Sequence, residues 1–189
     1  KANGIKISGH KIGLTSEPMQ EMLGVDEPDY GHIYSDRTHQ SGHEIDTAAL
    51  IAPRIEPELA FVLRDDLSGT DTTVDDVLAA TDYVLPSMEV IDSRIADWKI
   101  TLIDTIADNA SCASIVLGEQ RIDPREVDLT AVAVDLLGPG DHEEREERII
   151  ATVFVCFVPF VVSTNSVHPA QAVPAARSAG LIWCLEVWR

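Results

Sequence analysis

Lysine is almost missing from this chain. Of 189 residues only four are lysines: Lys1, Lys6, Lys11 and Lys99. All basic residues together number 14 against 32 acidic ones, for a formal charge of −18. A surface so short of positive charge repels phosphate backbones and anionic lipids, which excludes nucleic-acid and membrane-surface partners. Cysteine is scarce as well. Cys112, Cys156 and Cys184 are far apart and odd in number, and no C-x-x-C pair is present. That pattern indicates neither a structural zinc site nor a disulfide framework. No signal-peptide pattern is visible. The longest apolar run, Ile149 to Val162, covers 14 residues and contains Pro159. It falls short of the roughly 20 residues a membrane helix needs. A cytoplasmic chain is expected.

What is present suits one globular domain. The length allows a sizeable core, and a hydrophobic content of 45% fits that class. The excess of acid is too apolar in context for a disordered tail. It suits a high-salt interior, where screening mutes self-repulsion. On that reading stability rises with KCl, and a flat response would contradict it.

The most informative local pattern is Glu56-Pro57-Glu58 within the apolar segment Ile51 to Leu63. The segment reads as a strand, so Glu56 and Glu58 point to the same face. An E-x-E pair most often lies on a solvated strand face. Here the neighbours are Ile, Leu, Ala, Phe and Val, and two adjacent carboxylates repel. A divalent cation with a preference for oxygen is the simplest neutraliser. Glu89, in a second apolar stretch from Tyr83 to Ile91, offers a third ligand.

Along the chain, Ser16 to Gly24 has an N-cap serine, an early proline and a terminal glycine, and predicts a short helix. Residues 26–48 read as loop-rich; their histidines His32, His39 and His43 are expected to be ordinary surface residues. Strands are predicted at 55–63, around Glu89, at 113–117 and at 129–137. A helix is predicted over 73–81, a helical or irregular segment over 92–104, and a loop over 105–112. Mixed strands with short helices between them indicate an α+β fold. After Gly138 the character changes to a charge run, an apolar run and a Pro- and Ala-rich tail without clear periodicity.

Five blocks carry a resemblance: Gly9 to Ser16 (GHKIGLTS), Leu23 to Gly31 (LGVDEPDYG), Pro53 to Phe61 (PRIEPELAF), Val84 to Arg94 (VLPSMEVIDSR) and Asp104 to Ser111 (DTIADNAS). In this order and spacing they resemble the 2-keto-4-pentenoate hydratases. These are grouped with the 2-oxo-3-hexenedioate decarboxylases in the fumarylacetoacetate hydrolase superfamily. The resemblance covers about residues 5–137. It implies a mixed β-roll or barrel, with Glu56, Glu58 and Glu89 holding Mg2+ or Mn2+. It implies Lys11, Asp29 and Ser111 as catalytic residues. Lys11, with a lowered pKa, would hold the substrate carboxylate or shuttle a proton; Asp29 would act as acid or base; Ser111 would orient substrate or water. Asp92, Arg94, Asp104, Asp108 and Asn109 fall to supporting roles.

The implied reaction is hydration of a 2-hydroxy-2,4-dienoate in aromatic catabolism. The alternatives are decarboxylation of 2-oxo-3-hexenedioate, C–C hydrolysis of an acylpyruvate, or a truncated remnant without catalysis. The implied partners are the small-molecule substrate, a second copy in a homo-oligomer, and a hydratase–decarboxylase complex. The chain departs from the family at both ends. The helical segment that usually precedes the first block is missing, and the sequence after about Gly138 reads as truncated or frame-shifted apart from a brief echo at His168 to Val173. The expected organisation is therefore a partial metal-binding catalytic domain over 1–138, with a barrel incomplete at both ends, and an unrecognised tail over 139–189.

Overall fold

Alternating side chains on two long strands decide the architecture. The computed structural model describes residues 4–17, 20–21, 24–129, 132–137, 152–157 and 182–186. Its strands are β1 (Ile7–Gly13), β2 (Asp29–Tyr34), β3 (Thr38–Gln40), β4 (Arg54–Leu63), β5 (Thr81–Ile91), β6 (Cys112–Leu117), β7 (Val132–Leu137), β8 (Thr152–Phe157) and β9 (Ile182–Glu186). Short helices among the described residues include α1 (Val74–Ala80), between β4 and β5, and α2 (Leu102–Ala107), between β5 and β6. Seven strands form one mixed sheet in the order β2-β1-β9-β4-β5-β6-β3, and β7 and β8 form a separate antiparallel pair. β1 runs parallel to β9 and β3 parallel to β6; the other ladders are antiparallel.

β4 and β5 are buried on both faces, which is why they read as nearly continuous apolar runs. One face sets Ala60 and Leu85 against Ile115, Leu117 and Ile33. The other sets Leu59, Phe61 and Val84 against Val132 of the small sheet. Ile33 comes from β2 at one edge, and Ile115 and Leu117 from β6 near the other. The large sheet therefore curls until its first strand packs on its sixth. Among the described residues no ladder joins those two strands, so the barrel that the resemblance implies is not closed there.

Several local expectations are corrected. Residues 26–48 contain β2 and β3. β2, Asp-Tyr-Gly-His-Ile-Tyr, has poor strand propensity, but Asp29, Gly31 and Ile33 are buried on one face. Part of the expected loop at 105–112 is helix α2, nucleated by a reciprocal cap in which the Thr101 hydroxyl accepts from the Asp104 N–H and Asp104 accepts from the Thr101 N–H. Thr73 and Asp76 cap α1 in the same way. Of the helix predicted at 16–24, Glu17, Gln20 and Glu21 are helical, Ser16 and Gly24 form a bend and a turn at its ends, and residues 18, 19, 22 and 23 lie outside the described residues. In the tail β9 enters the large sheet between β1 and β4. The charge run at 141–148 and the echo at 168–173 lie outside the described residues.

Asp92, just beyond β5, holds the loop that leads into β4. Its buried carboxylate accepts the Ile51 N–H at 2.9 Å and the Ala52 N–H at 2.8 Å. Arg54 then stacks on Trp98, its guanidinium carbon 4.2 Å from the ring centroid. Bonds to a charged acceptor are worth about 1.5–3 kcal/mol each in net terms. Asp92→Ala is expected to lower the melting temperature by about 5 °C or more in a thermal melt, and an unchanged melt would show that the loop is held by other contacts.

Candidate active site

The β4–β5 register puts three carboxylates together. Glu56 lies directly across from Glu89, and Glu58 across from Ser87. Glu56 and Glu58 share a face, as alternation requires, and Glu89 and Ser87 share that face from the neighbouring strand. A carboxylate oxygen from each glutamate lies within 4.8 Å of the other two, and all three residues are buried. Among the described residues this is the one group of three or more His, Cys, Asp or Glu side chains able to hold a metal ion. His39 and His43 stack face to face at 3.9 Å between centroids, and His10 and His32 meet Nδ1 to Nδ1 at 3.1 Å. Neither histidine pair belongs to the glutamate group.

Burial of this kind needs compensation. Glu58 is fully buried, and no protein donor is hydrogen-bonded to either of its oxygens. Burial first, then the Glu89 charge, pushes the Glu58 carboxyl well above the usual carboxylate range. The nearest cation is Lys11 on β1, whose Nζ lies 3.0 Å from Glu89 Oε2 and donates to the Ala110 carbonyl at 3.2 Å. Burial works against the Lys11 charge, but Glu89, Glu58, Asp29 and Glu56 outweigh it and hold its pKa well above the ordinary lysine value. This corrects the expected lowered pKa. A single lysine among four carboxylates remains an ammonium.

Asp29 reaches the same region from β2. Its Oδ2 accepts from the Thr105 hydroxyl of α2 at 2.7 Å, and its buried Oδ1 has no hydrogen-bond donor. Glycines make the room. Lys11 lies across from Gly31, and Asp29 across from Gly13. A Cβ on Gly13 would sit 2.5 Å from Asp29 Oδ1 and 3.5 Å from Lys11 Nζ, so the two groups border the space beside that glycine.

Four observations thus converge: three buried carboxylates, of which Glu58 has no hydrogen-bond donor to either oxygen, a buried ammonium, an aspartate oxygen without a hydrogen-bond donor, and a glycine, Gly13, whose missing side chain leaves room for Asp29 beside Lys11. No protein-family model matches the chain. Curated relatives do match. The chain is 47% identical over 142 residues to the 2-hydroxyhexa-2,4-dienoate hydratase of Comamonas testosteroni, a match covering 74% of this chain and 54% of that protein. It is 51% identical over 129 residues to the 2-hydroxypent-2,4-dienoate hydratase of Pseudomonas putida, covering 68% and 58%. The chain belongs to the 2-keto-4-pentenoate hydratase family. It spans about half the length of the curated relatives it matches. Among solved structures, the 4-oxalocrotonate decarboxylase from Pseudomonas putida G7, complexed with magnesium and adipate, aligns with a TM-score of 0.68 at 39% identity, over 71% of this chain and 51% of that one. The same enzyme complexed with calcium and acetate aligns at 0.65.

Two parts of this family member's site were not legible in the sequence. The first is the turn Asn109–Ser111, which supplies the carbonyl for Lys11. Its three residues have φ of +58°, +50° and +56°. Asp108 secures its start: Arg94 donates to the Asp108 carboxylate and to its carbonyl. Ser111 is buried, and its hydroxyl is turned to Asp108 Oδ2 at 3.4 Å. The turn's backbone joins Ser111 to Lys11; no hydrogen bond of its hydroxyl reaches Lys11 or the glutamates. The second is Cys112, paired in register with Ile91 two residues beyond Glu89. Burial, then Glu89, drives its thiol far up, so it stands beside the carboxylates as a neutral S–H.

Gly31 marks how tightly the turn is seated. A Cβ there would come within 2.5 Å of the Asn109 carbonyl oxygen and 3.0 Å of its carbon, both backbone atoms. Gly31→Ala must therefore move the turn or β2, at a cost of about 1–3 kcal/mol. The expected outcome is a lower melting temperature with a loss of any activity well beyond it. Wild-type behaviour in both would mean that the turn yields freely.

Proposed function

We propose that this chain is a divalent-metal-dependent hydratase that adds water to 2-hydroxypenta-2,4-dienoate, the enol of 2-keto-4-pentenoate, giving 4-hydroxy-2-oxopentanoate. The observation that carries the reading is the buried glutamate trio, whose carboxylate oxygens lie within 4.8 Å of one another. Three hard anionic ligands suit Mg2+ or Mn2+, and no zinc-like nitrogen or thiolate ligand is among them. Glu56, Glu58 and Glu89 would hold the ion, which when bound supplies a Lewis acid at the substrate's 2-oxygen.

The remaining roles fall to this chain's own side chains. Lys11, an ammonium beside Glu89, binds and orients the substrate carboxylate rather than removing a proton. Asp29 moves protons: Thr105 holds one oxygen, and the other is left to accept the 2-hydroxyl proton and return it at C5. Water then adds across C3–C4, with its oxygen on C4 and a proton on C3. Ser111, at the end of the strained turn, helps to fix the substrate's position. The proposal extends to a cytoplasmic homo-oligomer acting in aromatic catabolism.

One observation favours a second reading. The aligned solved structure is a 4-oxalocrotonate decarboxylase, and a held 2-keto group also serves as an electron sink for departing CO2. The test is to incubate the chain with Mg2+ or Mn2+ and each substrate. Loss of dienoate absorbance with formation of 4-hydroxy-2-oxopentanoate is expected. Release of CO2 from 2-oxo-3-hexenedioate without hydration would reverse the assignment, and inertness toward both would remove it.

A further inference from the structure

Left-handed backbone is unfavourable for a non-glycine residue, with asparagine the mildest case. Three such residues in a row at 109–111 persist only because something holds them. The Asp108–Arg94 contacts fix the start of the turn. The side facing β2 is held by Asn109. Its Nδ2 donates to the His32 carbonyl at 2.9 Å, and its Oδ1 accepts from the His32 N–H at 2.8 Å. β2 is the edge strand of the large sheet, and the carboxamide pairs with it as the peptide group of a further strand would. The contact falls next to Gly31, where a Cβ would run into the Asn109 carbonyl, and Gly31 is the residue directly across from Lys11. The following carbonyl, that of Ala110, accepts from Lys11 Nζ.

We propose that Asn109 is a positioning residue for Lys11: by clamping the left-handed turn onto the edge of β2, it aims the Ala110 carbonyl at the Lys11 ammonium and so fixes where that ammonium meets the substrate. The catalytic half of this statement rests on the hydratase reading above; the structural half does not. Covering the edge of β2 alone would be a purely structural role, and the two make different predictions.

The experiment uses the full chain carrying Asn109→Asp or Asn109→Gly. Aspartate keeps the size, the tolerance of positive φ and the acceptor for the His32 N–H, but loses the donor. Glycine keeps the backbone conformation without strain and deletes the whole clamp. The first readout is acetylation of Lys11 by acetic anhydride, followed by mass spectrometry and referred to Lys99. The Lys11 side chain is 4% exposed in the native fold and that of Lys99 is 78%. Lys11 is expected to react about fivefold faster, or more, in both variants. The second readout is a pair of measurements: kcat/KM on the dienoate falls by about tenfold or more, as misplacement of a reacting group predicts, while Mn2+ affinity stays within about twofold because no glutamate is touched. Unchanged Lys11 labelling in both variants overturns the proposal whatever the activity. Faster labelling with unchanged kcat/KM leaves Asn109 as an edge cover and overturns it too. A wild type that labels slowly but does not turn over the dienoate sinks the hydratase reading, while the labelling comparison still decides the placement of Lys11.

Discussion

Glu58→Ala is expected to cut metal-dependent turnover of the dienoate by about a thousandfold, which corresponds to roughly 4 kcal/mol of transition-state stabilisation. The size follows from the position. Glu58 is the most enclosed of the three carboxylates, and its strand position is paired on both sides, with Ser87 of β5 and Glu186 of β9. Its loss removes one of three ligands and leaves a void beside the other two, Glu56 and Glu89. The conservative Glu58→Gln separates charge from volume. It keeps the shape and loses the anion, so it is expected to be nearly as inactive as alanine. In the absence of metal it should be more stable than wild type, because an amide beside Glu89 replaces a repelling, desolvated carboxylate. Activity in Glu58→Gln within tenfold of wild type would show that the trio does not act through its charge.

The second large effect is a metal-dependent reversal of the pH profile of stability. The Glu58 carboxyl is raised by burial and by Glu89 from an ordinary value of 4.5. A group whose folded pKa lies above its unfolded one contributes stability that is fully present below the unfolded value. That stability is lost as pH rises through the folded value. The metal-free protein is therefore expected to lose stability relative to Glu58→Gln as pH increases above about 4.5, because ionising the buried carboxylate costs free energy. Mg2+ at about a hundred times its dissociation constant should contribute about 2.7 kcal/mol. For a chain of this length that is a rise of about 5–10 °C in melting temperature, present in wild type and absent in Glu58→Gln. Differential scanning fluorimetry from pH 5 to 8, with EDTA or with Mg2+, reads both parts. A metal-free wild type that gains on Glu58→Gln with rising pH would contradict this account of the site's electrostatics.

The sequence carried the E-x-E alternation without help, because period-two geometry is local: Glu56 and Glu58 had to share a face once the segment was a strand. Glu89 was a different matter. Its place across from Glu56 depends on the β4–β5 register, which is set by pairing over ten residues of β4 and not by any local pattern. The five sequence blocks stood in for that missing information. Lys11 is legible in the sequence, but its electrostatics are not. Burial alone lowers a lysine pKa, and only the fold shows that four carboxylates surround this one. The turn at 109–111 left no sequence signal, since alanine and serine do not announce positive φ. β2 was hidden because its buried face consists of an aspartate, a glycine and a single isoleucine. β9 was illegible because its place between β1 and β4 comes from long-range pairing alone.

The central claim is that Glu56, Glu58 and Glu89 form one divalent-cation site. Titration of Mn2+ into the chain, followed by loss of the free-ion electron paramagnetic resonance signal, tests it without any need for turnover. The expected result is one ion bound per chain, displaced by Mg2+, with affinity reduced by about a hundredfold or more in Glu58→Ala. Equal Mn2+ binding by wild type and Glu58→Ala, or none by either, would contradict it.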